Sequence, residues 1–499
     1  MSLVLCAALI LMLGGGDLSS VSEDDYDFSM PFEYRLIFKN LGDIPIGPFE
    51  YLNQRFFVEQ RLIFASNLYC GDVSVTTEFD VGGIIDGDLT SGSANYSRIS
   101  RNHKYGWAID RLFTREIYLQ YAHNRYNFIL GQKLLHWGIG MLINDGKEKG
   151  LFGENYAGDT VAGLFISIPP LFFITDKSFS EKLLFNLGYG YLIRDNFASI
   201  YYGDSGFHLY TSLEYDSESG MNLRDGFQTG IYYGYRSQKS RYGEKTVLNV
   251  FDIYFKKEHY LRGEIAAPNI FFYFEGAFIY GDGERKLGGS DYDYDIQSYG
   301  IIMRTGIRDK EYLLYLDIGY ASGDDNPFDG IDSRFRFSSD FKEGLILFSE
   351  LYGFASASSN LRSYNLLFEE NHTFFEGVES YGSISNSIFT SINLSYSFAS
   401  LLRVDLSVIL AGVDKGIIDP YFSYVAHQDR NFYNSIQSSR LLGTEIDVGI
   451  EREWYQNRYF KLKSRVEYGH LFAGDAFTND YSPFDGTDLL LFRISVDNL

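Results

Sequence analysis

REIYLQYAHNRYNFILGQKLLHWGIGMLIN, residues 115–144, is the stretch whose reading decides the fold. In its first half Ile117, Leu119 and Tyr121 fall on one face of an extended chain, and Glu116, Tyr118 and Gln120 fall on the other. The second half sets Tyr126, Phe128 and Leu130 against Asn127, Gly131 and Lys133. A period of two places successive side chains on opposite faces of a strand, which excludes a helix. Only Asn124 and Arg125 separate the two runs, so the strands are expected to be antiparallel neighbours. After Trp137 the alternation dissolves into NDGKEKGLFGENYAGD, residues 144–159, rich in glycine and charge. A tight turn at one end, a long polar loop at the other and aromatics on the apolar face are how a transmembrane β-barrel of the outer-membrane type is built.

Composition agrees. With 41 Tyr and 43 Phe the chain is 17% aromatic, more than a soluble core needs, yet its mean hydropathy is only −0.15. No apolar run is long enough for a helical span. A barrel reconciles these facts, because only every second strand residue meets lipid. No Pro- or Ser-rich linker divides the 499 residues, and one barrel domain over 32–499 is expected. A segment 17–31 would precede it in the periplasm, and residues 1–16, containing LVLCAALILML, read as a signal peptide whose natural start lies further upstream. The formal charge of −23 argues against nucleic acid as a partner, and two cysteines provide neither a disulfide framework nor a metal spacing.

In chain order the first strand is PFEYRLIFK, with Phe32, Tyr34, Leu36 and Phe38 opposite Glu33, Arg35 and Lys39. Alternating runs recur every 20 to 30 residues, near 56–66, 72–81, 161–168, 183–193, 208–215, 227–235, 246–255, 270–280 and 296–307, which predicts 16–18 strands with short periplasmic turns and long extracellular loops. DGDLTSGSANYSRISRNHKYG, residues 86–106, reads as one such loop. In the hairpin 391–411, Ile392, Leu394, Tyr396 and Phe398 face lipid on one strand, and Leu402, Val404, Leu406 and Val408 do so on the other. The late pair turns Leu442, Ile446, Val448 and Ile450 outward and Glu445, Asp447 and Glu451 inward. Lys461, Lys463 and Arg465 follow on the inner face of the next strand. A turn centred on Gln456 would pair Glu451 with Lys461 and Asp447 with Arg465. These six residues, with Arg403 and Asp405 of the earlier hairpin, are the candidate pore-lining residues, although opposed charges also stabilise a sheet with no solute involved.

GQKLLHWGIGMLI (131–143), GYASGDDNPFDG (319–330) and YGHLFAGDAF (468–477) resemble, in order, three motifs of the alginate-export family of outer-membrane porins. The resemblance spans most of the chain. It implies an 18-strand barrel in the cell outer membrane and passage of an anionic polysaccharide; the acidity of this chain opposes an anionic cargo.

The eight histidines are scattered without ligand spacing, and no GxSxG elbow, P-loop or nucleotide-binding glycine motif is present. We therefore expect no enzyme, no cofactor and no catalytic residue. The crowd of Asp324, Asp325, Asp329 and Asp332 offers weak calcium candidates, since oxygen-rich loops bent at glycine can hold that ion. The expected partners are outer-membrane lipid and lipopolysaccharide, the barrel assembly machinery and a hydrophilic solute. The function expected is a porin or export channel for passive passage; the alternative is a barrel that anchors a surface partner and conducts little. Loops folding into the lumen near 144–159 or 341–375 would favour a gated or plugged barrel over an open pore.

Overall fold

The computed structural model describes residues 26–52, 55–86, 111–147, 150–154, 158–170, 182–195, 198, 200, 203–217, 225–240, 243–261, 268–287, 290–326, 329–363, 378–398, 401–437 and 439–498. The signal peptide and nearly all of the 86–106 loop lie outside these residues, as does the stretch 364–375.

Eighteen antiparallel strands close into a barrel. They are β1 (Phe32–Leu41), β2 (Arg55–Cys70), β3 (Val73–Asp86), β4 (Arg111–His123), β5 (Tyr126–Leu135), β6 (Asp159–Ile168), β7 (Leu183–Arg194), β8 (Ser205–Asp216) and β9 (Asp225–Lys239). The second half comprises β10 (Lys245–Tyr260), β11 (Asn269–Leu287), β12 (Ser290–Arg308), β13 (Tyr312–Ala321), β14 (Ser387–Phe398), β15 (Leu402–Val413), β16 (Leu441–Gln456), β17 (Lys461–Ala473) and β18 (Gly486–Asp497). Each pairs with its neighbours in sequence, and β18 pairs back onto β1 through Glu33 with Asp497 and Phe38 with Phe492. Closure removes every sheet edge, which is what a spanning sheet requires where no water can satisfy free N–H and C=O groups.

Alternation sets the two faces as the sequence predicts. Ile117, Phe128, Leu394, Leu406 and Val448 are exposed on the outside, whereas their neighbours Glu116, Ile129, Asn393, Asp405 and Asp447 are buried inside. Aromatic rings form girdles at both ends of the wall. Tyr215, Phe227, Phe255 and Phe272 contact one another in series across β8 to β11 near the short turns. Tyr189, Phe207 and Tyr235 do the same toward the long loops. Such girdles sit at membrane–water interfaces, where a ring can keep one edge wet.

Three inward-facing glycines pair across β5, β6 and β7: Gly131 with Gly163, and Gly163 with Gly190. A Cβ on Gly163 would lie 2.0 Å from the Tyr189 carbonyl oxygen, and one on Gly131, whose φ is +134°, would lie 2.3 Å from that of Ile117. Glycine lets these backbones approach and the wall bend.

Two details of the late pair correct the expectations. The β16–β17 turn centres near Arg458 and not Gln456, because 457–460 make the turn: Asn457 N–H donates to the Phe460 carbonyl and the Asn457 side chain accepts from Tyr459 and Phe460 N–H. The register therefore pairs Glu451 with Arg465 and Asp447 with Gly469. Leu442 points inward and is fully buried, because a bulge leaves it without a partner between Leu441 and Gly443 and reverses the parity there.

Much of the barrel interior is packed protein. The described parts of the β5–β6 loop (136–147, 150–154 and 158) and of the β13–β14 loop (322–326, 329–363 and 378–386) fold into the lumen. The latter carries a π-helical turn, Leu347–Tyr352, leading directly into α1, Gly353–Ser363. Phe335, Phe337, Phe348, Leu351 and Phe354 are buried there against wall residues such as Phe389. Arg362 joins three loops at that end. It pairs with Asp419 at 2.7 Å and donates to the carbonyls of Ile46 at 2.8 Å and Phe432 at 3.0 Å. Asp419 in turn caps α2, Pro420–Ala426, by accepting the Phe422 N–H.

Candidate functional site: the lumen and its two chambers

Charged side chains on the inner wall hold the loops. On β16, Glu445 accepts three consecutive main-chain N–H groups, of Leu345 at 2.5 Å and of Ile346 and Leu347 at 2.7 Å. On β1, Arg35 pairs with Glu154 of the β5–β6 loop at 2.6 Å, and Lys39 pairs with Glu350. Arg493 of β18 also meets Glu154, and Arg465 of β17 donates to the Leu151 carbonyl at 2.5 Å. Hence β16, β17, β18 and β1 form one anchoring wall. Across the lumen, Glu275 of β11 accepts N–H groups of Ile139 and Leu142, and Asp252 of β10 accepts the Trp137 indole. The two loops are tied together as well, by Gly158 N–H to Asp340 at 2.7 Å and Ser338 N–H to the Met141 carbonyl at 2.6 Å. A buried charge is costly unless it is paired, and a loop backbone brought indoors must find acceptors, so each problem solves the other.

The expected pore-lining residues divide accordingly. All eight belong to strand segments with the predicted inward parity, but Asp405, Glu445 and Asp447 are 0% exposed and Arg465 is 3% exposed. Arg465 bonds Asp405 at 2.5 Å and Glu467 at 2.8 Å. Glu445 and Arg465 hold the loops, Asp405 holds Arg465, and Asp447 lies buried with neither carboxylate oxygen hydrogen-bonded. Glu451, Lys461, Lys463 and Arg403 remain partly accessible near the short-turn end, with Lys463 facing Asp497 at 3.4 Å and Arg403 facing Asp405 at 3.1 Å. The acidic loop serves its own main chain: Asp324 accepts from Asn326 and Ser333, Asp329 from Ile331, and Asp332 from Arg334, while Asp325 faces Lys415 at 3.9 Å. Among the described residues no group of three potential ligands converges there.

The space beside the loops runs along β5 to β11. An outer cavity opens toward the long loops, with Leu192, His208, Arg236 and Leu248 in its wall. An inner cavity lies nearer the short turns, with Asn127, Lys133, Asn186, Ser212 and Glu214. Leu135, Ile143 and Tyr232 line both and form the waist between them. Tyr232 is held there from three sides: its hydroxyl lies 2.6 Å from His208 Nε2, and its ring sits 5.3 Å from that of Trp137 and 5.5 Å from that of Tyr210. In the loop, burial alone would raise the Asp145 carboxyl, but hydrogen bonds from His136 and from the Lys147 N–H outweigh it and hold the group below its ordinary value.

Reasoning from sequence passed over Tyr232, His208, Asp252 and Glu275. For the two acids a signal existed. VFDIYF and YFEGAF each place one carboxylate on the lumen face of an otherwise apolar run, which demands a buried partner.

No protein-family model matches this chain, and no curated protein matches it. Solved structures do. The chain is similar to OccAB1 of Acinetobacter baumannii, with a TM-score of 0.51 at 11% identity, covering 96% of this chain and 98% of that one. The fold is that of an outer-membrane β-barrel. Lesser likenesses are to OccK2 (OpdF) of Pseudomonas aeruginosa, with a TM-score of 0.47, 11% identity and coverage of 95% and 98%. The outer membrane protein OpdK of the same organism gives 0.48, 10% and coverage of 94% and 98%. The alginate-export resemblance of the three motifs finds no support in these likenesses. With its apolar exterior, aromatic girdles and closed wall, the barrel belongs in the outer membrane.

Proposed function

We propose that the barrel is a passive channel for small water-soluble molecules, which pass along the β5 to β11 wall one at a time. The observation that carries this reading is the pair of chambers sharing Leu135, Ile143 and Tyr232, left beside two loops that wall charges pin in place. Spaces this confined, beside loops that fill much of the lumen, suit a small solute and oppose the polysaccharide expected from the alginate-export resemblance. A permanently wide pore is opposed by the same loops, as inward folding near 144–159 and 341–363 implies. We assign no catalytic step to the lumen. Membrane lipid and lipopolysaccharide against the exposed belt, and the barrel assembly machinery, are the partners that go with this reading.

Two measurements test it. Purified protein in planar bilayers should give small, discrete conductance steps, and liposomes containing it should swell in pentoses and hexoses but not in oligosaccharides of four or more units. Absence of steps would favour the anchor or scaffold alternative, which the extensive loop packing supports. Swelling in large oligosaccharides would return the reading to a polysaccharide channel.

A further inference from the structure

The outer chamber is lined unlike a water-filled lumen. Leu135, Val161, Leu192, Leu248, Val250 and Ile279 project into it from the wall, and Leu142 and Ile143 do so from the loop. Its formal charges cancel, with Asp159 and Asp195 against Arg194 and Arg236. Each is already engaged. Asp195 pairs with Arg236, one of their contacts being 3.2 Å; Asp159 accepts the Asn144 N–H at 2.9 Å; and the Arg194 guanidinium lies 4.6 Å over the Phe113 ring. One polar atom stands apart. His208 is 8% exposed and its Nε2 is taken by Tyr232, but its buried Nδ1 has no hydrogen-bond partner. Buried polar nitrogens are nearly always satisfied, so this one calls for a partner from the chamber, a water or a solute group.

We infer that the outer chamber is a binding station for uncharged small molecules with an apolar body and a single hydroxyl, the body against the Leu, Val and Ile side chains and the hydroxyl on His208 Nδ1. This rests on the channel reading and names its solute class. A hydroxyl fits because it both donates and accepts. If Tyr232 donates to Nε2, Nδ1 carries the proton and must donate; if Nε2 donates to Tyr232, Nδ1 must accept; an alcohol satisfies either tautomer. An anion gains no counter-ion here and loses its hydration, and a cation has only Asp159, already holding the Asn144 N–H, to offset that loss. The station also adjoins the waist, since the imidazole that would hold the hydroxyl also holds the Tyr232 hydroxyl.

The test uses the full chain in lipid nanodiscs and three probes of one shape: benzyl alcohol, benzoate and benzylammonium. Saturation-transfer NMR, with empty nanodiscs subtracted, reads binding whether or not the barrel conducts. Benzyl alcohol should bind about tenfold or more tightly than either ion, because benzoate buries a charge without a partner and benzylammonium must give up its hydration for Asp159 alone. Leu248→Trp, which fills the chamber, should abolish the signal, and His208→Phe should weaken it severalfold. Should Leu248→Trp fail to insert, His208→Phe and the comparison among probes on the unaltered protein still decide. Equal or tighter binding of benzoate or benzylammonium would overturn the inference, as would an alcohol signal no larger than that of empty discs. Bilayer recordings on the same preparation separate the two readings. Conductance without alcohol binding overturns the station alone; alcohol binding without conductance overturns the channel and leaves the station.

Discussion

Trp137 donates its indole N–H to Asp252 at 2.9 Å, and this bond fixes the start of the β5–β6 loop to the wall opposite β1. The other oxygen of Asp252 is buried with no partner, so the indole is what satisfies this carboxylate. Trp137→Phe keeps ring packing near Tyr232 and Tyr254 but leaves the acid unserved. A cost of about 1–3 kcal/mol is expected for a buried acceptor left unpaired. The denaturant midpoint should fall, and channel currents should become larger and noisier as 137–142 loosens. Unchanged midpoint and currents would remove Trp137 from the loop anchors.

Glu445 makes the corresponding attachment for the longer loop. Glu445→Ala strips acceptors from three buried N–H groups at once and should release 345–347 from β16. Higher conductance and faster proteolysis within 322–386 are the expected outcome. An alanine variant with unaltered cleavage and conductance would show that apolar packing of Phe348, Leu351 and Phe354 holds the loop without help.

The barrel was legible in the sequence because its signal repeats. Ser391, Asn393 and Ser395 against Ile392 and Leu394 is one weak alternation, and closure into 18 strands follows from many such runs. Leu442 shows where the method fails: a bulge costs one residue of register and reverses every inference beyond it. The lumen was harder to read for a different reason. Inward parity was correct for Glu445 and Arg465, but parity cannot tell a charge facing water from one facing a loop that arrives from about 100 residues away. The glycine row 131–163–190 and the waist residue Tyr232 likewise exist only once strands are in register.

Leu394 lies on the lipid face in the middle of β14, opposite Leu406 of β15 and Leu314 of β13. Arg in its place should cost about 2–4 kcal/mol of stability in bilayers, the range for a cation at the midplane of a barrel wall. Refolding yield into vesicles, read by the gel shift of the folded barrel, measures this. Full yield and an unshifted midpoint would mean that Leu394 does not meet lipid.

Acid should loosen the β5–β6 loop through Asp145. Its carboxyl is held below the ordinary 3.8, so the ionised form is favoured in the folded state and its contribution is complete above 3.8. That contribution is lost as pH falls through the lower folded-state value. Current noise at pH 3 should therefore exceed that at pH 6, and Asp145→Asn should be noisy at both. A variant that keeps the pH dependence of the parent would assign it to other carboxylates.

The cations of β17 should separate into two roles. Lys461 and Lys463 are partly accessible near the short-turn end, where a solute would meet them in water; Arg465 is 3% exposed and bonded to Asp405, Glu467 and the Leu151 carbonyl. Removing all three together would mix the effects. In Lys461→Gln with Lys463→Gln, the local field at the mouth loses two positive charges while the fold keeps its anchors, so the reversal potential in a salt gradient should move toward cation preference with an unshifted denaturant midpoint. Arg465→Gln should do the reverse. It takes one cation from each of two buried carboxylates, Asp405 keeping Arg403 and Glu467 keeping Arg493, a loss of about 1.5–3 kcal/mol, and frees the loop at Leu151. Its midpoint should drop and its conductance rise, with little change in ion preference. If the double lysine variant leaves the reversal potential where it was while conductance persists, the conducting path does not pass these lysines, and selectivity is set on the β5 to β11 side by Lys133 and Glu214 of the inner chamber.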